Sequence, residues 1–158
     1  MKVNEVMSSQ PIVSCSSETK LHKAVKIMKA INCGVLPVVD KNKNLLGIVT
    51  DRDICLSLTK NKMKSLTKIS VGKIMLTKTH VVSTSDDISV AFHQMHAHQL
   101  SRLPVINEKG KLKGIISFHM LISKSVNHDK NSEKHSPSTG KKLLKTMQTV
   151  SDLYLKKN

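Results

Sequence analysis

Apolar residues change their spacing in a fixed order along this chain, and then repeat that order. After Ser17, residues Leu21, Ala24, Val25, Met28 and Ile31 recur at the spacing of one helical face, and Gly34 is placed to stop the helix. Two short β-branched runs follow, Val35 to Val39 and Leu45 to Val49, joined by the turn-forming Lys41-Asn42-Lys43-Asn44. A further helix starts at Thr50. Later, Ile88, Ala91, Phe92 and Met95 form a second helical face behind the acceptors Ser85-Asp86-Asp87. Strands at Leu103 to Ile106 and Leu112 to Ile116 then flank Asn107-Glu108-Lys109-Gly110, and another helix starts at Ser117. Each pass predicts strand, helix, strand, strand, helix, an α/β (α+β) pattern.

The two passes are copies. At an offset of 67, residues 21 to 54 match residues 88 to 121 at nine of 34 positions: Ala24, Met28, Ala30, Leu36, Pro37, Val38, Leu45, Gly47 and Ile48. Upstream, VMSSQPIVS resembles IMLTKTHVVS at an offset of 68, so a single-residue gap joins the registers. The expected organisation is a first copy at 1–60, a linker at 61–70, a second copy at 71–124, a flexible linker at 125–140 and a basic amphipathic helix at 141–158. In that last helix Leu143, Met147, Val150 and Tyr154 share a face among five lysines. One copy of about sixty residues buries only a marginal core, so the two are expected to pack together.

The segments GVLPVVD…LLGIVTDRDI and SRLPVIN…KGIIS resemble a cystathionine-β-synthase (CBS) domain and its tandem partner. The resemblance implies two βαββα units related by a pseudo-twofold axis and packed sheet to sheet, often dimerised. It also implies binding of AMP, ADP, ATP or S-adenosylmethionine in the clefts between units, and control of a partner protein. The expectation is a stand-alone regulatory module and homodimer that senses adenine nucleotide.

Local chemistry supports such a site at Thr50-Asp51-Arg52-Asp53. A strand ends and a helix starts at once, which is expected to leave backbone N–H groups facing a ligand. Asp53 is an acceptor-only carboxylate suited to a ribose diol, the Thr50 hydroxyl donates or accepts beside it, and Ile48 and Val49 supply apolar walls for adenine. The competing reading is that Thr50 caps the helix while Asp53 complements its dipole. In the second copy Ser117 keeps the hydroxyl but Met120 replaces the acid, so one competent site is expected.

The resemblance extends to the γ regulatory subunit of AMP-activated protein kinase, and it implies phosphate contacts at Arg102 and His119. It also implies a base contact at His80 and a second-cleft position for Arg52. Ser101 and His119 stand where that pattern has His and Lys. Arg102 offers a fixed guanidinium fork for phosphate oxygens; a solvated strand-end charge and a helix-surface histidine are the alternatives for Arg102 and His119.

Composition adds limits. The 158 residues contain three aromatics, Phe92, Phe118 and Tyr154, so the core is expected to be aliphatic, with Met7, Met28, Met75 and Met95 as filler. Lys plus Arg number 26 against 11 for Asp plus Glu, a formal charge of +15. The excess reads as spread along the chain, with an acid-free run from Lys60 to Lys78. Without interleaved aromatics for base stacking, nucleic acid is a secondary partner, and the alternative function is a basic interaction module binding nucleic acid or an acidic protein. Cys15, Cys33 and Cys55 form neither a disulfide framework nor a zinc motif and read as small buried thiols. His93, His96 and His98 lack companions for a metal shell. No nucleophile elbow or acid-base pair appears, so no enzyme activity is expected. The absence of a signal peptide or membrane-length apolar run suggests the cytoplasm.

Overall fold

The computed structural model describes residues 1–8, 12–60 and 66–130. Its elements are α1 (Val3–Val6), α2 (Leu21–Ala30), β1 (Val35–Val39), β2 (Leu45–Thr50), α3 (Asp51–Lys60), a 3-10 turn (Val71–Lys73), β3 (Val82–Ser83), α4 (Ile88–Ala97), β4 (Arg102–Ile106), β5 (Leu112–Ser117) and α5 (Phe118–Lys130). The leading strand of each copy is slight. In the first it is a parallel bridge between Cys15 and Val38; in the second it is β3, two residues long. Helix α5 continues through Lys130, past the boundary expected at residue 124. The basic helix expected at 141–158 lies outside the described residues.

Each copy builds on an antiparallel hairpin. In the first, β1 pairs with β2 from Val35 opposite Thr50 to Val39 opposite Leu45, with a bulge between Val38 and Val39. In the second, the strand order is β3-β4-β5. Alternating residues face an apolar core in each case, aliphatic in the first copy and aliphatic but for Phe92 in the second. One core gathers Leu21, Ala24, Met28, Leu36, Val38, Val49, Ile54 and Val71; the other gathers Val3, Val6, Ile88, Phe92, Met95, Leu103, Val105, Ile116 and Leu121. Met28 and Met95 are buried, while Met7 and Met75 pack partly buried against these cores, as the repeat positions predict.

The described residues divide into two compact units whose membership departs from the order of the copies. One unit holds residues 1–8, 81–105 and 114–130; the other holds 12–60, 66–80 and 106–113. The copies thus exchange their leading segments. Ser8 N donates to Ile115 O at 2.9 Å and Ile115 N to Ser8 O at 3.1 Å, while Leu76 N donates to Ile48 O at 2.8 Å and Ile48 N to Leu76 O at 3.0 Å. The same substitution of partners recurs at the helix starts. Ile88 N donates to Met1 O at 3.1 Å, and Leu21 N to Ile69 O at 3.0 Å. Burial drives the exchange: Val3 is 0% exposed and Val6 2% exposed in the second copy's core, and Val71 is 0% exposed in the first copy's.

Helices α2 and α4 end alike, but without the glycine expected to stop α2. The left-handed residue is Asn32 at φ 49° after α2, and Gln99 at φ 53° after α4. Cys33 N donates to Met28 O at 3.0 Å and Leu100 N to Met95 O at 2.8 Å, which closes a Schellman turn on each helix. Gly34 serves a different purpose: a Cβ there would sit 2.5 Å from Asp51 Oδ2. Because a left-handed glutamine carries a Cβ clash that glycine lacks, Gln99→Gly is expected to stabilise the protein by about 1 kcal/mol. A thermal melt should show a rise of roughly 2–4 °C. An unchanged or lower Tm would mean that Gln99 holds this conformation without cost.

Candidate functional site

The junction of β2 and α3 is built as a reciprocal cap. Thr50 N donates to Asp53 Oδ2 at 3.0 Å and the Thr50 hydroxyl donates to the same oxygen at 2.6 Å. Asp53 N donates back to Thr50 Oγ1 at 3.1 Å. This is the capping-box arrangement with aspartate in the acidic position. Asp51 N donates to Gly34 O at 3.0 Å and Arg52 N to Asp51 Oδ1 at 2.7 Å. The backbone N–H groups expected to face a ligand are therefore already satisfied, and two carboxylates occupy the positive end of α3. This end suits hydroxyl groups rather than phosphate. Among the described residues only Oδ2 of Asp53 is engaged, so Oδ1 of this half-buried side chain keeps its acceptor capacity.

Strand alternation sorts the expected apolar walls. Ile48 and Thr50 are half-buried on one face of β2, whereas Val49 is 0% exposed within the core. Val49 is accordingly a core residue and not a ligand wall. Sequence reasoning missed two residues beside Ile48. Leu46, two positions earlier on the strand, is 38% exposed, and Leu76, which pairs with the Ile48 backbone, is 50% exposed. The period of two pointed to Leu46; nothing local pointed to Leu76, which arrives by the segment exchange. Arg52 and His80 belong to this same unit and are exposed.

Arg102 and His119 belong to the other unit. Arg102 opens β4 half-buried, and His119 is exposed in the first turn of α5. The two elements start side by side, because Phe118 N donates to Ser101 O at 3.0 Å. Met120 N donates to Ser117 Oγ at 3.2 Å, so the hydroxyl cap survives here without a carboxylate. Met120 itself packs against the apolar core. One unit thus pairs its hydroxyl turn with an acid, and the other pairs its turn with an arginine and a histidine.

The cysteines differ more than expected. Cys15 is buried, and burial pushes its thiol up to about 11 against a smaller lowering by Thr19, which keeps it protonated and unreactive at neutral pH. Cys33 is half-buried and donates to Val35 O at 3.4 Å. Cys55 is exposed on α3, since its position on that helix faces away from the buried Ile54 and Ser57. Among the described residues no group of three His, Cys, Asp or Glu side chains is arranged to hold a metal ion. No described helix is long and apolar enough to cross a membrane.

A duplicated βαββα chain with a threonine-aspartate cap at the β2–α3 junction defines a tandem pair of like modules. The CBS domain profile matches it twice, over residues 3–60 and 71–127, and the chain belongs to the CBS domain family. It is 37% identical over 120 residues to YlbB of Bacillus subtilis, covering 74% of this chain and 77% of that protein. Among solved structures it resembles CBSX2 of Arabidopsis thaliana in complex with AMP, with 27% identity, a TM-score of 0.70, and coverage of 80% and 96% of the two chains. It also resembles the CBS domain pair of protein MJ0100 in complex with 5-methylthioadenosine and S-adenosyl-L-methionine. That match has 25% identity and a TM-score of 0.68, covering 78% of this chain and 98% of the other.

Proposed function

We propose that this CBS pair is a regulatory module that binds an adenine nucleoside ligand, with the ribose held at the β2–α3 junction. The observation that carries the reading is the Asp53 carboxylate, fixed through one oxygen by Thr50 and available through the other. Ile48, Leu46 and Leu76 provide apolar surface in the same unit for the base. Two relatives in the same fold carry AMP, or methylthioadenosine with S-adenosylmethionine, and these ligands share the adenosine portion. Arg102 and His119 are the phosphate ligands in this proposal, with Arg52 and His80 as secondary contacts. Function then follows from differential affinity: a ligand that binds one arrangement of the homodimer better shifts the population towards it, and a partner protein reads that shift.

Calorimetric titration with AMP, ADP, ATP and S-adenosylmethionine tests this directly. At least one should bind with measurable heat and raise Tm by mass action. Failure of all four at millimolar concentration would overturn the reading. Arg102→Ala should weaken AMP more than adenosine; equal weakening of both would remove Arg102 from the phosphate.

A further inference from the structure

Sorted by compact unit, the basic excess is far from even. Among the described residues, the unit built on 12–60, 66–80 and 106–113 contains 14 basic and 5 acidic residues, a net charge of +9, whereas the other unit contains 4 of each. Part of this charge is gathered by a contact that no run in the sequence reveals. The two β-hairpin tips, one from each copy, join through their backbones: Leu45 N donates to Gly110 O at 3.1 Å and Leu112 N to Lys43 O at 2.9 Å, around an antiparallel bridge between Asn44 and Lys111. The joined tips carry Lys41, Lys43, Lys109 and Lys111, all exposed.

Each tip is held rigidly by the same device. Asp40 Oδ1 accepts from Asn42 N and Asn44 N, both at 2.8 Å, and Asn107 Oδ1 accepts from Lys109 N at 3.1 Å and Lys111 N at 2.9 Å. The last residue of each turn is left-handed, Lys43 at φ 68° and Gly110 at φ 73°. Asp40 is thereby occupied: the Asn44 side-chain amide above all, then backbone amides and the charge of Lys111, outweigh desolvation and hold its carboxyl below the usual range. Glu108 is the other acid within the tips. Among the described residues no ion pair joins any of the four lysines to an acid.

We infer that the joined hairpin tips are a docking surface for the phosphodiester backbone of a nucleic-acid duplex, independent of the nucleotide site. The backbone pairing brings four exposed lysines onto two joined turns, and ammonium groups engage phosphates as point charges. The tips have no aromatic side chain on which unpaired bases would stack, which favours a duplex over a single strand. They also lack the exposed aromatic or arginine anchors that centre a protein interface, where lysine is depleted, which favours nucleic acid over an acidic protein.

The test is fluorescence anisotropy of the full chain with a random-sequence DNA duplex between about 50 and 200 mM salt. Two quadruple variants accompany the wild type. One replaces Lys41, Lys43, Lys109 and Lys111 with Gln; the other replaces Lys23, Lys26, Lys29 and Lys73, which are exposed lysines of the same unit, with Gln. Wild type should bind with a steep salt slope. The tip variant should flatten that slope by about 3–4 and weaken binding at least tenfold, while the control variant stays close to wild type. All three should retain the nucleotide response, so loss here is distinguishable from failure of the ligand proposal. Absent duplex binding, equal loss in both variants, or a poly-glutamate peptide or single strand binding as tightly as the duplex would each overturn the inference.

Discussion

Gly47→Ala and Gly114→Ala are each expected to destabilise the protein by about 1–3 kcal/mol, the range for forcing a methyl into filled space. Both glycines are buried at the midpoint of a hairpin's second strand, where the exchanged leading segment lies against it. A Cβ on Gly47 would collide with the Leu76 carbonyl oxygen, and a Cβ on Gly114 with the Ser8 carbonyl oxygen. Neither obstacle is the far end of a flexible side chain. Each is backbone held by a reciprocal pair of hydrogen bonds to Ile48 or Ile115, so relief requires parting the added strand. Gly110 provides the contrast. Its φ is +73° and a Cβ there meets nothing within 4 Å, so it is constrained by conformation alone. Asparagine tolerates left-handed φ but not missing space, so Gly110→Asn should melt close to wild type while Gly47→Asn should lose several degrees. Thermal denaturation of the four variants decides this; a Gly47→Ala protein that melts with wild type would disprove the close approach.

The second large effect concerns Asp53. Asp53→Ala removes a charged acceptor from the proposed ribose contact, and a hydrogen bond to a charged group contributes about 1.5–3 kcal/mol, which corresponds to a loss of roughly ten- to a hundredfold in affinity. It also removes half of the cap on α3, costing about 1 kcal/mol of stability. Asp53→Asn separates the two roles. Its amide oxygen still accepts from Thr50 N, so most of the stability should remain, while the loss of charge should still weaken the ligand. Calorimetry and melting on the same two variants give both readouts. Lower stability with unchanged affinity would show that Asp53 is a capping residue only.

Much of this was legible in local spacing. The helical stripe from Leu21 to Met28, the β-branched runs around Pro37 and Pro104, and the 67-residue offset all anticipated the elements and the two cores. They did so because amphipathic periodicity is the direct imprint of one buried face. Thr50 and Asp53 were likewise visible, being three residues apart at a strand-helix junction. What local spacing misjudged was orientation and satisfaction. Val49 and Ile48 are adjacent and equally apolar, and only the pleat of the assembled sheet sends one to the core and the other outward. The start of α3 reads as open until Gly34, seventeen positions earlier, supplies its carbonyl to Asp51. The left-handed stops fell on Asn32 and Gln99 rather than on the nearby glycine, because the Schellman hydrogen bonds set the position of reversal.

By itself, then, the sequence determined the duplication, the order of helices and strands, the aliphatic character of the cores and the hydroxyl-acid turn present in one copy. All of these except the duplication, which is read at an offset of 67, depend on residues within a few positions of one another. The tertiary structure decided the exchange of leading segments, the arrival of Leu76 beside Ile48, the exposure of Cys55 and the meeting of Asn44 with Lys111. These pair groups that are distant along the chain, and their partners are selected by shared burial and by completion of backbone hydrogen bonds, neither of which leaves a period in the sequence.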